Sequence, residues 1–153
     1  MATTTNSKII RATSRDVYKA FTEEKALECW LAPDNMKGKI HDFDLKAGGG
    51  YSMSLFYLDR QMSGKTAENE DRFYATFVEL SPYEKIVQTI RFQSDKKEFE
   101  DEMTMEVFLK AYDTDSTKVT IVFKNIPAGI DPKDNETGTA QSLEKLAGYV
   151  EKN

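Results

Sequence analysis

PKDNETGTAQSLEKLAGYVEK, residues 132–152, is the stretch whose reading decides the fold. At helical period Thr139, Ala140, Leu143, Leu146, Ala147 and Val150 share one stripe. Asp134, Glu144, Lys145, Glu151 and Lys152 occupy the remainder, with Glu136 at the stripe's edge. Asp131 suits the N-cap, and Pro132 the first helical position, where its missing N–H costs nothing. A long amphipathic helix is therefore expected here. Its apolar stripe must lie on something, and residues 37–125 all read as strands, so the partner is a sheet.

Working back from that helix, six strands are predicted over residues 37–44, 51–58, 72–80, 85–93, 102–112 and 117–125. Alternation is clear in most of them. Tyr51, Met53, Leu55 and Tyr57 oppose Ser52 and Ser54, and Phe73, Ala75 and Phe77 oppose Tyr74 and Val78. Ile86, Ile90 and Phe92 align, as do Met103, Met105, Val107 and Leu109, and Val119, Ile121 and Phe123. Gly48, Gly49 and Gly50 mark a turn or bulge, 59–71 a polar loop, and 94–101 a charged hairpin connection. Upstream, a strand is predicted over 8–12, with residues 1–6 expected to fray. Two short helices follow. Ser14 is expected to cap the first, with Val17, Ala20 and Phe21 apolar. Thr22 is expected to cap the second, with Ala26, Leu27 and Trp30 apolar and Pro33 as its stop. Short links imply an antiparallel meander with one buried face. The expected fold is α+β: about seven antiparallel strands wrapped on a long C-terminal helix, with two short helices after strand 1, all 153 residues in one domain.

Five segments carry a family likeness. Ile10-Arg11-Ala12 followed by Asp16-Val17-Tyr18-Lys19-Ala20-Phe21 is the first, and Trp30-Leu31-Ala32-Pro33 is the second. Asp44-Leu45-Lys46-Ala47-Gly48-Gly49-Gly50-Tyr51 and Glu79-Leu80-Ser81-Pro82-Tyr83-Glu84-Lys85-Ile86-Val87 come next. Gly138-Thr139-Ala140-Gln141-Ser142-Leu143-Glu144-Lys145-Leu146 completes the series. In this order they resemble the START-like (SRPBCC; Bet v-like, polyketide cyclase-like) helix-grip superfamily. Within it the chain is most similar to the family named after the activator of the ninety-kilodalton heat-shock protein (Hsp) ATPase. None of the five is a catalytic motif. Two positions depart from the family pattern, Thr139 and Ile90 standing where Trp is usual. Other bulky residues such as Phe77, Phe92 and Phe123 compensate, or the space between helix and sheet is roomier.

The resemblance implies a hydrophobic ligand held between the long helix and the concave sheet. Candidate cavity residues are Trp30, Tyr51, Met53, Leu55, Phe77, Ile90, Phe92, Met105, Val107, Phe123, Thr139, Leu143 and Leu146, with Tyr51, Tyr57 and Tyr74 as polar handles. The same apolar faces fit a filled core equally well. Three functions are weighed in this order: non-enzymatic binding of an apolar small molecule, a co-chaperone-type interaction module, and a cyclase- or hydrolase-like enzyme. The family name comes from proteins with an additional N-terminal domain, for which this chain has no spare residues, so the second loses weight. The third needs polar groups converging inside the pocket. Its best carboxylates, Asp44, Glu79 and Glu136, each have a structural reading.

Composition narrows the partners. The hydrophobic content of 39% with 31% charged residues suits a globular chain, and no apolar run is long enough to span a bilayer. A net charge of −5 with scattered Lys and Arg leaves no basic footprint for nucleic acid. No secretory signal is visible, and the single Cys29 fits a reducing cytoplasm. Cys29 is expected to be a packed thiol rather than a nucleophile. His41 is the only histidine, and alternation puts Asp42 and Asp44 on the opposite face, so no metal site is expected from them. The glycine run leads into a strand, not a helix, so it is not a phosphate loop, and no cofactor is expected.

Overall fold

The computed structural model describes residues 2–32, 34–58, 70–94 and 96–151. Pro33, Lys152 and all but the last two residues of the expected 59–71 loop lie outside the described residues. The chain runs β1 (Ala2–Ile10), α1 (Ser14–Thr22), α2 (Glu24–Trp30), β2 (Met36–Phe43), β3 (Gly50–Tyr57), β4 (Glu70–Ser81), β5 (Lys85–Phe92), a 3-10 turn (Lys97–Phe99), β6 (Met103–Ala111), β7 (Thr117–Ile126) and α3 (Pro132–Val150). The seven strands form one sheet in the order β1-β7-β6-β5-β4-β3-β2, every neighbouring pair antiparallel. From β2 to β7 this is the expected meander. β1 joins at the far edge, because the two helices carry the chain across before β2 begins.

Residues 1–6 do not fray as expected. β1 starts at Ala2 and pairs with β7 from Ala2 opposite Ile126 to Ile10 opposite Thr117. The polar run there lacks apolar alternation, so its order comes from the backbone ladder and from α3. Thr4 donates to Asn135, and Asn6 Nδ2 donates to the Glu136 carbonyl at 3.2 Å.

The helix caps fall one residue from their expected places at α1 and differ in kind at α2. Thr13, not Ser14, caps α1, accepting from Asp16 N at 3.2 Å. Thr22 does not cap α2. Its hydroxyl donates back to the Tyr18 carbonyl at 2.9 Å, and Glu23 takes the N-cap position without a side-chain bond. At α3 the reading from sequence holds, with Asp131 accepting from Lys133 N at 2.9 Å ahead of Pro132. The buried stripe of α3 is Thr139, Ser142, Leu143, Leu146 and Ala147. Ala140 is exposed, and Ser142 takes the inward place because its hydroxyl donates to the Leu31 carbonyl at 2.7 Å. Lys145 Nζ adds a 2.8 Å bond to the Ala32 carbonyl, and Gln141 Oε1 accepts from Asp34 N at 3.1 Å. Three bonds thus pin the α2–β2 connection to α3.

Trp30 is the anchor beneath that connection. It is fully buried, its Nε1 donates to the Ala20 carbonyl at 2.8 Å, and its ring meets Phe21 edge-on at 4.7 Å. α2 also completes the edge strand. A register shift lies between Ile40 and Asp42, and on this edge strand Glu28 Oε2 accepts from the Ile40 amide at 2.7 Å. The same bulge overturns the expected placement of His41. His41 Nε2 lies 2.8 Å from Ser54 Oγ, while Asp42 Oδ2 accepts from Ser52 Oγ at 3.1 Å, so both side chains lie on the outer face. Among the described residues no group of three His, Cys, Asp or Glu side chains could hold a metal ion. Cys29 is exposed, not packed, because the buried face of α2 is spent on Ala26, Leu27 and Trp30.

The glycine turn brings two backbones into close approach. Gly48 has a φ of +88°, and a Cβ on Gly50 would sit 1.9 Å from the Ala75 carbonyl oxygen. The 94–101 connection is more than a solvated tip. Phe99 is buried and meets Phe92 at 6.2 Å, while Gly129 N donates to the Glu98 carbonyl at 2.8 Å.

Candidate functional site: a cavity under the first half of the long helix

Helix and sheet do not close on each other evenly. Under the second half of α3, Leu143, Leu146 and Ala147 belong to the buried apolar core and do not border the cavity. Under its first half the inward residues are small, namely Gly138, Thr139 and Ser142. There a cavity of about 570 Å³ remains, within the range of small-molecule sites.

The expected cavity residues divide along that line. Tyr51 and Leu55 of β3, Ile90 and Phe92 of β5, Met105 of β6, Phe123 of β7 and Thr139 of α3 all border the space. Trp30, Met53, Phe77, Val107, Leu143 and Leu146 do not. They belong to the solid part of the core. Met53 is diverted because Gly38 on the neighbouring strand leaves room for its methyl, which lies 2.3 Å from where a Cβ would be. Thr139 and Ile90, the two positions where the family pattern has Trp, both border the cavity. Of the bulky residues expected to compensate, Phe92 and Phe123 border the space and Phe77 does not.

Polar side chains also reach the wall, and two buried ones on the sheet, Gln88 and Asp71, were not among the expected residues. Gln88 lies on β5 in step with Ile86, Ile90 and Phe92, so the alternation itself was the available signal. It is buried, and its Nε2 donates to the Tyr51 hydroxyl at 3.2 Å. Tyr51 is held rigidly, stacked on Phe43 at 5.8 Å and flanked by Phe77 at 5.8 Å and Phe73 at 6.2 Å. Burial pushes its hydroxyl up to about 12, with the Gln88 hydrogen bond pulling weakly the other way. At neutral pH it is a hydrogen-bond donor. The second residue missed is Asp71, which the polar-loop reading left outside the strand. β4 begins at Glu70, so Asp71 pairs with Leu55, is buried, and accepts from the Tyr57 hydroxyl at 3.1 Å.

The other sequence candidates lie elsewhere. Tyr74 is exposed on the outer face, its hydroxyl donating to Gln93 Oε1 at 3.1 Å. Asp44 sits at the glycine turn near Lys46 (3.7 Å), and Glu79 faces Lys85 at 3.6 Å and accepts from Ser81 at 2.8 Å. Glu136 is exposed. None of these three carboxylates borders the cavity. Asp131 and Asp134 do, at the exposed mouth beside Asn35 and Thr137. Among the described residues the wall holds no Lys, Arg or His. No helix among them is long and apolar enough to cross a membrane.

Solved structures share this architecture across the full length of the chain. A crystal structure of a protein from Chromobacterium violaceum is 29% identical, with a TM-score of 0.86 and coverage of 99% of this chain and 98% of that one. A solution structure from Arthrobacter aurescens is 12% identical with a TM-score of 0.82, covering 99% and 87%, and shows the fold alone. A crystal structure from Rhizobium loti is 24% identical with a TM-score of 0.71, covering 97% and 96%. No curated protein sequence matches the chain. Residues 11–151 match the family described as activator of Hsp90 ATPase homolog 1-like protein. With that match over nearly its whole length, and the helix-grip fold beneath it, the chain belongs to this family.

Proposed function

We propose that the chain is a non-enzymatic binding protein for an apolar small molecule, lipid-like or aromatic, held between α3 and the sheet. The observation that carries this reading is the cavity of about 570 Å³ walled largely by Leu55, Phe73, Ile90, Phe92, Met105 and Phe123. Burying apolar ligand surface there is favourable by about 25 cal/mol per Å² before the costs of association. The cytoplasm is the proposed compartment, supported by a single exposed cysteine.

Native mass spectrometry of protein purified from its host tests the reading, followed by denaturing extraction. A one-to-one small-molecule adduct is expected. A clean apo mass, with no thermal stabilisation by lipids or aromatic compounds, would overturn it.

A protein-interaction role is the second reading, favoured by the family description and by Tyr74, Val78 and Phe108, which are exposed on the sheet's outer face. Charged substitutions at those three positions would abolish stimulation of a chaperone ATPase if that reading held. Buried polar groups in the cavity wall, Asp71 and Tyr51, favour an enzyme as a third reading. Chemical change of an extracted ligand on incubation with fresh protein, lost in Asp71→Asn, would establish it.

A further inference from the structure

The polar floor of the cavity specifies more than an apolar occupant. Tyr51 is 5% exposed and Gln88 6%, and both border the cavity. Among the described residues the only hydrogen bond either side chain makes is the one between them, Gln88 Nε2 to Tyr51 Oη at 3.2 Å. That leaves the Tyr51 O–H as a free donor and Gln88 Oε1 as a free acceptor. Rotating the amide by half a turn exchanges the roles. Tyr51 would then donate to Oε1, leaving the amide N–H₂ as donor and the Tyr51 oxygen as acceptor. In either arrangement the pair presents one donor and one acceptor, more than nine-tenths buried, to whatever fills the space.

Resting on the ligand-binding reading above, we infer that the ligand carries a neutral group that both accepts and donates a hydrogen bond, a hydroxyl or a carboxamide, seated on Tyr51 and Gln88. A pure hydrocarbon would leave both protein groups dry and unsatisfied, a cost the site cannot recover elsewhere. A carboxylate offers acceptors only, so one of its oxygens would face the acceptor of the pair. It would also enter a wall whose charged members among the described residues are the carboxylates Asp71, Asp131 and Asp134. The aromatic brace of Phe43, Phe73 and Phe77 around Tyr51 fixes the floor in advance, so little order is lost on binding.

Four probes with one apolar body separate these terms: naphthalene, 2-naphthol, naphthalene-2-carboxamide and 2-naphthoate, titrated at pH 7 by calorimetry. The carboxamide and the naphthol are expected to bind on the order of tenfold more tightly than naphthalene, and the carboxylate more weakly than naphthalene. Tyr51→Phe and Gln88→Leu are each expected to reduce the carboxamide's advantage several-fold, because the remaining residue still offers a donor and an acceptor, and the double variant is expected to bring the carboxamide to within about twofold of naphthalene. Circular dichroism establishes that each variant is folded. Tyr51→Phe keeps the ring among its aromatic neighbours, so it decides alone if Gln88→Leu does not fold. Naphthoate binding as tightly as the carboxamide would overturn the inference, as would a preference that the single substitutions leave unreduced. Naphthalene binding without any preference overturns this inference and leaves the cavity reading standing. Binding of none of the four overturns both.

Discussion

Replacing Thr139 by Trp restores the residue usual in the family and reads the emptiness of the cavity as a sign. Thr139 faces the space of about 570 Å³ from α3, opposite sheet residues that include Ile90. An indole there would bury roughly 100 Å² of apolar surface beyond what Thr buries, about 2.5 kcal/mol at ~25 cal/mol per Å². Ordering the larger side chain costs about 1 kcal/mol. The bond from Thr139 Oγ1 to the Asn135 carbonyl at 2.7 Å is lost, but that carbonyl stays within the helix, so the loss is nearly neutral. The net is a stabilisation of about 1.5 kcal/mol, or roughly 4 °C in Tm for a chain of this size. A solid core would give the opposite sign, since overpacking costs about 1–3 kcal/mol. Val107→Phe provides that contrast, because Val107 is fully buried away from the cavity and is expected to lower Tm. Differential scanning calorimetry measures both variants, and naphthalene titration of Thr139→Trp is expected to show at least tenfold weaker binding. A Tm of Thr139→Trp that falls as far as that of Val107→Phe would refute the reasoning.

Three further outcomes rest on separate parts of the structure. The Tyr51 hydroxyl is raised from its ordinary value of 10.0 to about 12, so the folded state holds its proton more tightly than the unfolded chain does. Its contribution is fully present below pH 10 and is lost as pH rises towards 12, about 2–3 kcal/mol in all. Urea denaturation of wild type against Tyr51→Phe between those limits should show the wild type losing its advantage, and parallel curves would contradict this. Glu28→Ala leaves the Ile40 amide without its 2.7 Å acceptor and is expected to cost about 1–2 kcal/mol in the same assay, with Glu28→Gln recovering part of it. Gly50→Ala places a methyl 1.9 Å from the Ala75 carbonyl and is expected to cost more than about 2 kcal/mol by forcing β3 and β4 apart. A loss below half of that would mean the turn yields freely.

Much of the fold was legible because its signals are local. Asp131 before Pro132 and the stripe through Leu143 and Leu146 mark α3 without reference to anything else, and the alternation of β3 through β7 marks the sheet. What escaped depends on partners distant in sequence. The order of Ala2–Ile10 comes from β7 and from Asn135 and Glu136, more than a hundred residues away. The acceptor of the Ile40 amide is Glu28 on another element, and the bulge beside it is one that single-strand alternation does not register. The thirteen expected cavity residues were chosen as inward-facing, and an inward position borders a cavity only where the opposing element leaves room. Leu143 and Leu146 face inward from α3 as Thr139 does, yet they lie within the packed core and not at the cavity. Gln88 was readable from the period of β5 but was passed over as polar. Asp71 was assigned to a loop because the residues before it are polar. Both borders of the site were thus hidden by chemistry that looks like surface.

The location of binding can be read directly from the methionine methyls. Met36, Met103 and Met105 border the cavity, whereas Met53 is buried outside it against Gly38. In a methyl-labelled sample titrated with naphthalene, ring currents are predicted to shift the methyl resonances of Met36, Met103 and Met105 in a saturable way while Met53 stays within a small fraction of their change. Unmoved resonances at all three, or shifts confined to residues on the outer face of the sheet, would contradict a ligand site beneath the first half of α3.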